Sequence, residues 1–537
     1  MKLFLSKTIL LILLAASLNA YSQNPNWEWA KIAGGSGKDA GQKIAIDSQG
    51  DVYVLGSFRD NNMVLGSITL ANAGDDDVFL AKYDALGNLI WAKSIGSTGT
   101  EFGTNLLIDK YDDIYVSGGF SSPNITIGTT TLPNSGGFDF FIAKYNPNGQ
   151  VLWAKNSSNS NFNAGLVAID ADLNTYSIIG TTSTANIEKY DALENLIWSR
   201  PITTTGSISS ISYRGFYVDS SGVYITGGFF GSSLTIGSIT LINTTAQNSN
   251  DMYIAKLDTA GNVLWAKNAI IAAGDHGTKV VIDRLGNSYV LGQFSGTATF
   301  DSHSITSNGQ NDLFLVKYNP SGQVIWAKNA GGNQNDWVNG LVLDTKGSAY
   351  IIGEFYSPSF TFANTTFNNM GVWFSYADVF VLKYDSLGNE VWIKNIEGLG
   401  NDNGNDVAIN NIGEVYITGA IEDTLGGTTN IGNFPLVSYG LDDIFIAKLS
   451  QTLSIDQLID MKGVSVYPNP NRGKFIIEIN NTQNAKIEIY NISGQLIYQK
   501  QTVQSRTEID LNVHSKGIYF IKVNFDKEIV IKKMVCR

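Results

Sequence analysis

Five acids occupy one repeated place in the chain. Asp39, Glu101, Asp275, Asp336 and Asp402 each lie eight residues before the residue that closes a short apolar run, namely Asp47, Asp109, Asp283, Asp344 and Asn410. Two further runs have Phe162 and Ile211 there instead. Converging carboxylates are hard oxygen ligands, so an incomplete ring of them at a channel mouth would hold a cation, calcium above all, or bind sugar hydroxyls. The alternative is local and carries more weight: an Asp ahead of a strand commonly accepts hydrogen bonds from its own turn. No other cofactor is expected. "NDNGND" (Asn401 to Asp406) has the composition of a calcium loop without its spacing or its bidentate Glu, and reads as a surface turn.

Much catalytic chemistry is excluded. His276, His303 and His514 are the only histidines, too few for a His-based zinc site and poorly suited to a Ser-His-Asp triad. Cys536 is the only cysteine, which rules out an intramolecular disulfide and a CxxC metal site. Lys82, Lys144, Lys189, Lys256, Lys317, Lys383 and Lys448 recur in every unit. A catalytic group is needed once, so these lysines read as structural, paired with acids of neighbouring units. Asp77, with its counterparts Asp139, Asp251, Asp312, Asp378 and Asp443, likewise suggests a structural role at a strand start. Trp373 and Phe374 could stack on sugar rings or pin their own loop. No singular acidic pair of the kind a glycosidase needs stands out.

The elements that must position these residues repeat. Trp29, Trp91, Trp153, Trp198, Trp265, Trp326 and Trp392 are spaced 62, 62, 45, 67, 61 and 66 residues apart, which signals a repeat fold. Between them lie hairpins such as "IAIDSQGDVYVLGSF" and "VVIDRLGNSYVLGQF", in which Asp closes one run, Gly supplies a tight turn and Tyr opens the next. Each unit holds four short strands, as a propeller blade does, and burial of both faces explains why "VYVLG" is apolar at nearly every position. The Asp-turn hairpin, the third strand and the Trp strand each occur seven times, but the Trp strand is out of phase. "NWEWAK" comes before the first hairpin, and nothing equivalent follows "DDIFIAKLS". The expected fold is therefore all-β: a seven-bladed propeller over residues 24–450, its last blade completed by the N-terminal strand, which removes exposed edges. Inserts between the second and third strands are expected to decorate one rim, where recognition usually sits. These units resemble bacterial β-propeller repeat proteins reading I-D-x-x-G-N-x-Y-V-x-G.

The two ends differ from this body. "MKLFLSKTILLILLAASLNAYSQ" has the layout of a secretory signal peptide over residues 1–22, and no later segment is apolar enough to span a membrane. Up to Gly463 there are 25 Lys and Arg against 42 Asp and Glu, net −17, whereas 11 basic face 6 acidic residues from Val464 onward, net +5. An acidic body argues against nucleic acid as partner. After a linker at 451–463, alternating apolar and polar positions over 464–537 describe a small Ig-like antiparallel sandwich.

That tail resembles the type A C-terminal sorting domain of the Bacteroidetes type IX secretion system. The resemblance rests on "YPNPNRGKF" with Tyr467, Pro468, Asn469, Pro470 and Gly473, on "IYNISGQLIY" with Gly494, and on "SKGIYFIKV" with Gly517, Tyr519 and Lys522. Cys536 departs from the pattern and receives no role. The resemblance implies a route: passage through the periplasm, recognition of the tail by the secretion machinery, and release or attachment at the outer cell surface. The propeller is then cargo, expected to be monomeric and non-catalytic, with a glycan or protein ligand on its rim. The alternative is a secreted glycosidase or lyase using carboxylates at the channel.

Overall fold

The computed structural model describes residues 25–450 and 464–536, apart from 60–61, 157–166, 182, 193–194, 207–208, 244–249, 372–375, 423–427, 468–470, 472, 480–484, 492–494, 512–515 and 525–528. Every regular element among the described residues is a strand, and all the ladders pair antiparallel strands. No helix is long and apolar enough to cross a membrane. Asn24–Gln451 forms one compact unit and Thr452–Arg537 belongs to another. The signal-peptide residues, Trp373 and Phe374 lie outside the described residues.

In the larger unit, one four-strand order recurs in seven sheets. Their first strands are Asp39–Ile46, Glu101–Ile108, Val167–Ile169, Ser210–Asp219, Ile270–Ile282, Asp336–Leu343 and Asn403–Ile409. Each of these inner strands touches the inner strand of the next sheet, and Asn403–Ile409 touches Asp39–Ile46. The seventh sheet takes its fourth strand from the start of the chain: Trp27–Ala33 pairs with Asp442–Leu449, with Trp29 opposite Lys448 and Ile32 opposite Phe445. The second strands are buried on both faces, as at Val52–Leu55, because each sheet packs against a neighbour on either side.

Recurring residues hold the sheets together in recurring ways. Asp47 accepts hydrogen bonds from the amides of Gln49 (3.0 Å) and Asp51 (2.9 Å), shaping the turn in which Gly50 takes φ +88°. Lys82 then bridges Asp47 (3.2 Å) and Asp51 (2.9 Å) and lies over the Tyr53 ring. The pairing is within one sheet rather than between neighbours as expected, because the lysine strand runs beside the strand that leaves the Asp turn. Lys144, Lys189, Lys317 and Lys383 pair in the same way with Asp109, Asp170, Asp283 and Asp344.

The tryptophans join one sheet to the next. Trp29, Trp91, Trp198, Trp265 and Trp326 donate through Nε1 to carbonyls of Ala85, Pro147, Thr259, Pro320 and Ser386 in the following sheet's outer turn. The turn glycine there is needed twice over: Gly87 has φ +78°, and a Cβ on it would lie 3.1 Å from the Trp29 ring. Trp392 Nε1 has no partner among the described residues. Its sheet is followed by the one closed by the chain's start, where no hairpin joins third to fourth strand.

The inserts form two-stranded hairpins, among them Asn62–Leu65 with Ile68–Ala71 and Ser359–Phe362 with Thr365–Asn368. They do more than decorate a rim. Alternate side chains, including Met63, Leu65, Phe360 and Phe362, are buried in the main cores, and the hairpins lie against the outer strands. The third unit lacks such a hairpin, and its long outer strand Leu196–Thr205 instead pairs with Ser233–Ile236 of the next unit's insert.

The smaller unit has two sheets, of three and four strands. Phe475, Ile487, Ile489, Tyr519, Ile521 and Met534 form its core, which also takes in Cys536, so the one residue outside the sorting pattern is a packed core side chain. Tyr467 donates to Glu478 (2.8 Å), Gly473 has φ +98°, Gly517 stands opposite Cys536, and Lys522 approaches Glu488 at 3.8 Å. Pro468, Asn469, Pro470 and Gly494 lie outside the described residues.

Candidate functional site: a central polar cavity

Six of the seven inner strands line one cavity of about 500 Å3. In each of the six the register with the second strand slips by one residue, between Gly41 and Lys43, Gly103 and Asn105, Tyr213 and Gly215, Gly277 and Lys279, Val338 and Gly340, and Gly404 and Asp406. The extra residue at such a bulge is unpaired and its side chain is re-aimed. Those extra residues are Gln42, Thr104, Arg214, Thr278, Asn339 and Asn405, and all six line the cavity. Lys43, Asn105 and Lys279, each one residue further on, line it too. The glycine before the bulge lets adjoining sheets approach: a Cβ on Gly277 would lie 2.0 Å from Thr226 Oγ1.

Side-chain amides tie the wall together across sheet boundaries. Asn105 donates to the Val167 carbonyl (2.6 Å), Asn339 to that of Gly404 (2.9 Å) and Asn405 to that of Gly41 (2.9 Å). Asp406 Oδ2 accepts from the Ile44 amide (3.2 Å), and its Oδ1 stands 3.9 Å from Lys279 Nζ. Gln42 Oε1 and Thr278 Oγ1 are buried and have no partner among the described residues.

The cavity carries cations. Burial, reinforced by the Lys279 ammonium, pulls Lys43 down to about 8. Burial also pulls His276 down to about 4, with Arg214 adding to the effect. Glu354, which accepts from Asn339 (2.8 Å) behind the wall, is pushed up to about 8 by burial and is mostly protonated at neutral pH. "NDNGND" is not a surface turn. Asn403–Ile409 is an inner strand, Asp402 is buried, Asn405 lines the cavity, and Asp406 is held against the first inner strand through the Ile44 amide.

None of the candidate acids Asp39, Glu101, Asp336 and Asp402 lines this cavity. Asp39 accepts from the amides of Gly35 (2.6 Å) and Arg59 (3.1 Å), and Glu101 from the Ser97 amide (2.8 Å) and the Ser122 hydroxyl (2.6 Å). Asp336 accepts from the Gly332 amide (2.5 Å) and the Ser357 hydroxyl (3.0 Å), and Asp402 from the Glu422 amide (3.1 Å). The Asp275 side chain is outside the described residues. Each acid stitches the start of an inner strand to the chain that leaves the second strand.

The other acid series does the same one strand away, as where Asp77 accepts from the Ala73 amide (2.8 Å). The two series meet between sheets. Burial and the neighbouring Glu101 push Asp77 up to about 6, and burial with Asp336 pushes Asp312 up to about 7. Among the described residues no three His, Cys, Asp or Glu side chains group as a metal site would.

Comparison with known proteins adds the family context. Residues 465–537 match the secretion system C-terminal sorting domain, and residues 28–57 the β-propeller repeat. An uncharacterised WD repeat-containing protein of Acanthamoeba polyphaga mimivirus is 25% identical over 505 residues, 73% of this chain and 36% of the relative. An ulvan lyase of Nonlabens ulvanivorans is 37% identical over 75 residues, 14% of each chain. This chain thus spans little more than a third, or less, of the length of these relatives. Among solved structures, PorZ, a surface component of the type IX secretion system of Porphyromonas gingivalis, aligns over 95% of this chain and 100% of its own at 10% identity, with a TM-score of 0.18. Residues 465–537 thus carry a type IX C-terminal sorting domain and residues 28–57 a β-propeller repeat, and the sorting domain marks the chain for secretion or the cell surface.

Proposed function

We propose that this is a secreted, non-catalytic binding protein: a closed seven-bladed propeller whose central cavity takes the ligand, followed by an Ig-like sorting domain that serves export through the secretion machinery. The closed succession of inner strands supports the blade count, and two sheets sharing one core support the sandwich. The observation that carries the binding role is the cavity wall. Its polar residues differ from blade to blade while the bulge that presents them recurs. A carboxylate-based glycosidase needs two acids facing each other across the substrate. Among the described residues that line this wall there is no carboxylate: Asp406 is the neighbour of the lining Asn405, and Glu354 is screened behind Asn339. For Asp39, Glu101, Asp336 and Asp402 we assign the local stitching role rather than calcium binding, and for the hairpins a packing role before recognition.

Incubating the purified full chain with a polysaccharide panel tests this. Retention of a polysaccharide without release of oligosaccharides is expected. Release that disappears in Asp406→Asn would overturn the non-catalytic reading. Deleting 464–537 is expected to keep the propeller from reaching the cell exterior, read by immunoblot of culture medium and surface fractions.

A further inference from the structure

Resting on the reading that the cavity is the binding site, we propose that it takes an acidic saccharide, with the sugar's oxyanion group, a carboxylate or a sulfate, held by Lys43, Lys279 and Arg214. These three cations line the cavity, and they do so inside a body whose net charge up to Gly463 is −17. Asp406, the neighbour of the lining residue Asn405, makes only a long pair with Lys279 at 3.9 Å. Crowding ammonium groups in a partly desolvated site is unfavourable unless a counter-charge arrives. Nothing in the packing needs a lysine there, since the equivalent strand positions of the other blades with this bulge are Asn105, Gly215, Gly340 and Asp406.

The rest of the wall suits sugar hydroxyls. Among the described residues Gln42 Oε1 is a buried acceptor without a donor, and the Thr278 hydroxyl is buried without a partner. A sugar hydroxyl can donate to the first and exchange hydrogen bonds with the second. Phe216 supplies an apolar face beside them. The volume of about 500 Å3 falls within the range of small-molecule sites, roughly 300–1,000 Å3, so the cavity takes a sugar unit or a chain end.

Calorimetric titration of the full chain at low ionic strength with glucuronate, glucose 6-sulfate, glucose and inorganic sulfate tests the proposal. Both acidic sugars should bind at least about tenfold more tightly than glucose, the size of a charge-assisted hydrogen bond, and inorganic sulfate should compete with them. Preference for one acidic sugar identifies the oxyanion. Lys43→Met and Arg214→Met, each checked for a single cooperative melting transition, should lose that advantage. Equal affinity for glucose and the acidic sugars, or no saturable binding by any probe, overturns the inference. Thr104→Trp, which fills the cavity, separates this from the reading beneath it. If polysaccharide retention survives Thr104→Trp, the cavity is not the binding site at all. If retention is lost there but indifferent to Lys43→Met, only the anion assignment fails.

Discussion

Two places on the same inner strand are built on opposite terms. At the strand start an acid recurs in five of the seven repeats, and four of these are seen doing one job, accepting hydrogen bonds from nearby backbone and hydroxyl groups. Three residues further on, the bulge recurs but its residue changes, from Gln42 through Thr104, Arg214, Thr278 and Asn339 to Asn405. Where residue and geometry both repeat, the residue serves the repeat. Where geometry repeats and the residue varies, the position is free to serve something outside the fold.

The largest expected effect breaks this comparison at the strand start. Asp336→Ala strips the acceptor from the Gly332 amide and from the amide and hydroxyl of Ser357, all in a buried setting. Each orphaned buried donor costs about 1–3 kcal/mol, so a loss of about 3 kcal/mol is expected in urea unfolding. Thr278→Ala at the bulge removes a hydroxyl with no partner among the described residues and should stay within about 0.5 kcal/mol of the parent. Comparable losses in both variants would erase the distinction.

The same contrast explains what could be seen in the sequence. The four-strand unit, the borrowed N-terminal strand and the sorting tail are carried by residues that repeat or by ordered motifs, and both signals survive in one sequence. Asn405 and Asp406 did not stand out because a single inserted residue is invisible to a period-two reading, and because "NDNGND" is as polar as a surface turn. Arg214 has no counterpart in another blade and Lys43 only Lys279, so neither stands out by recurrence as the structural residues do. A usable signal was present nonetheless. Polar residues interrupt an otherwise apolar strand at the same offset in "AGQKIAID", "FGTNLLID" and "HGTKVVID". For the acids, the local reading agrees with the contacts to nearby amides, and the ring reading had less to rest on, since position in a repeat fixes an angle around the ring and not the direction a side chain faces.

Acid pH should sharpen the comparison through the strand starts. Asp77 and Asp336 are held at about 6, Asp312 and Asp378 at about 7, each chiefly by burial. The folded chain therefore keeps protons that the unfolded chain has released above about pH 4. Their stabilising contribution is complete below that value and is lost as pH rises through 6 to 7. Asp170 and Asp283, where hydrogen bonds from Asn174 and Asn287 outweigh burial, act oppositely at lower pH. The melting temperature should peak near pH 4 to 5 and fall by several degrees on approach to pH 7. A flat profile across that window would mean the buried acids are not protonated.

The smallest effect belongs to the cavity and has the opposite sign. Lys43, from the first inner strand, faces Lys279 of the fifth and Asp406 of the seventh, and its amine is pulled down to about 8 from the ordinary lysine range. Between pH 8 and 10 the unfolded chain holds a proton that the folded chain has given up, so stability should rise slightly with pH there. Lys43→Met removes a desolvated charge repelled by its neighbour, and should raise stability at pH 7 while abolishing the alkaline rise. The gain would come with loss of the acidic-sugar preference, the expected trade when a side chain is kept for a ligand rather than for the fold. Melting curves of the parent and of Lys43→Met at pH 7, 8, 9 and 10 measure both terms. A variant less stable than the parent at pH 7 would place Lys43 among the residues that serve the fold, on the same side of the comparison as Asp336.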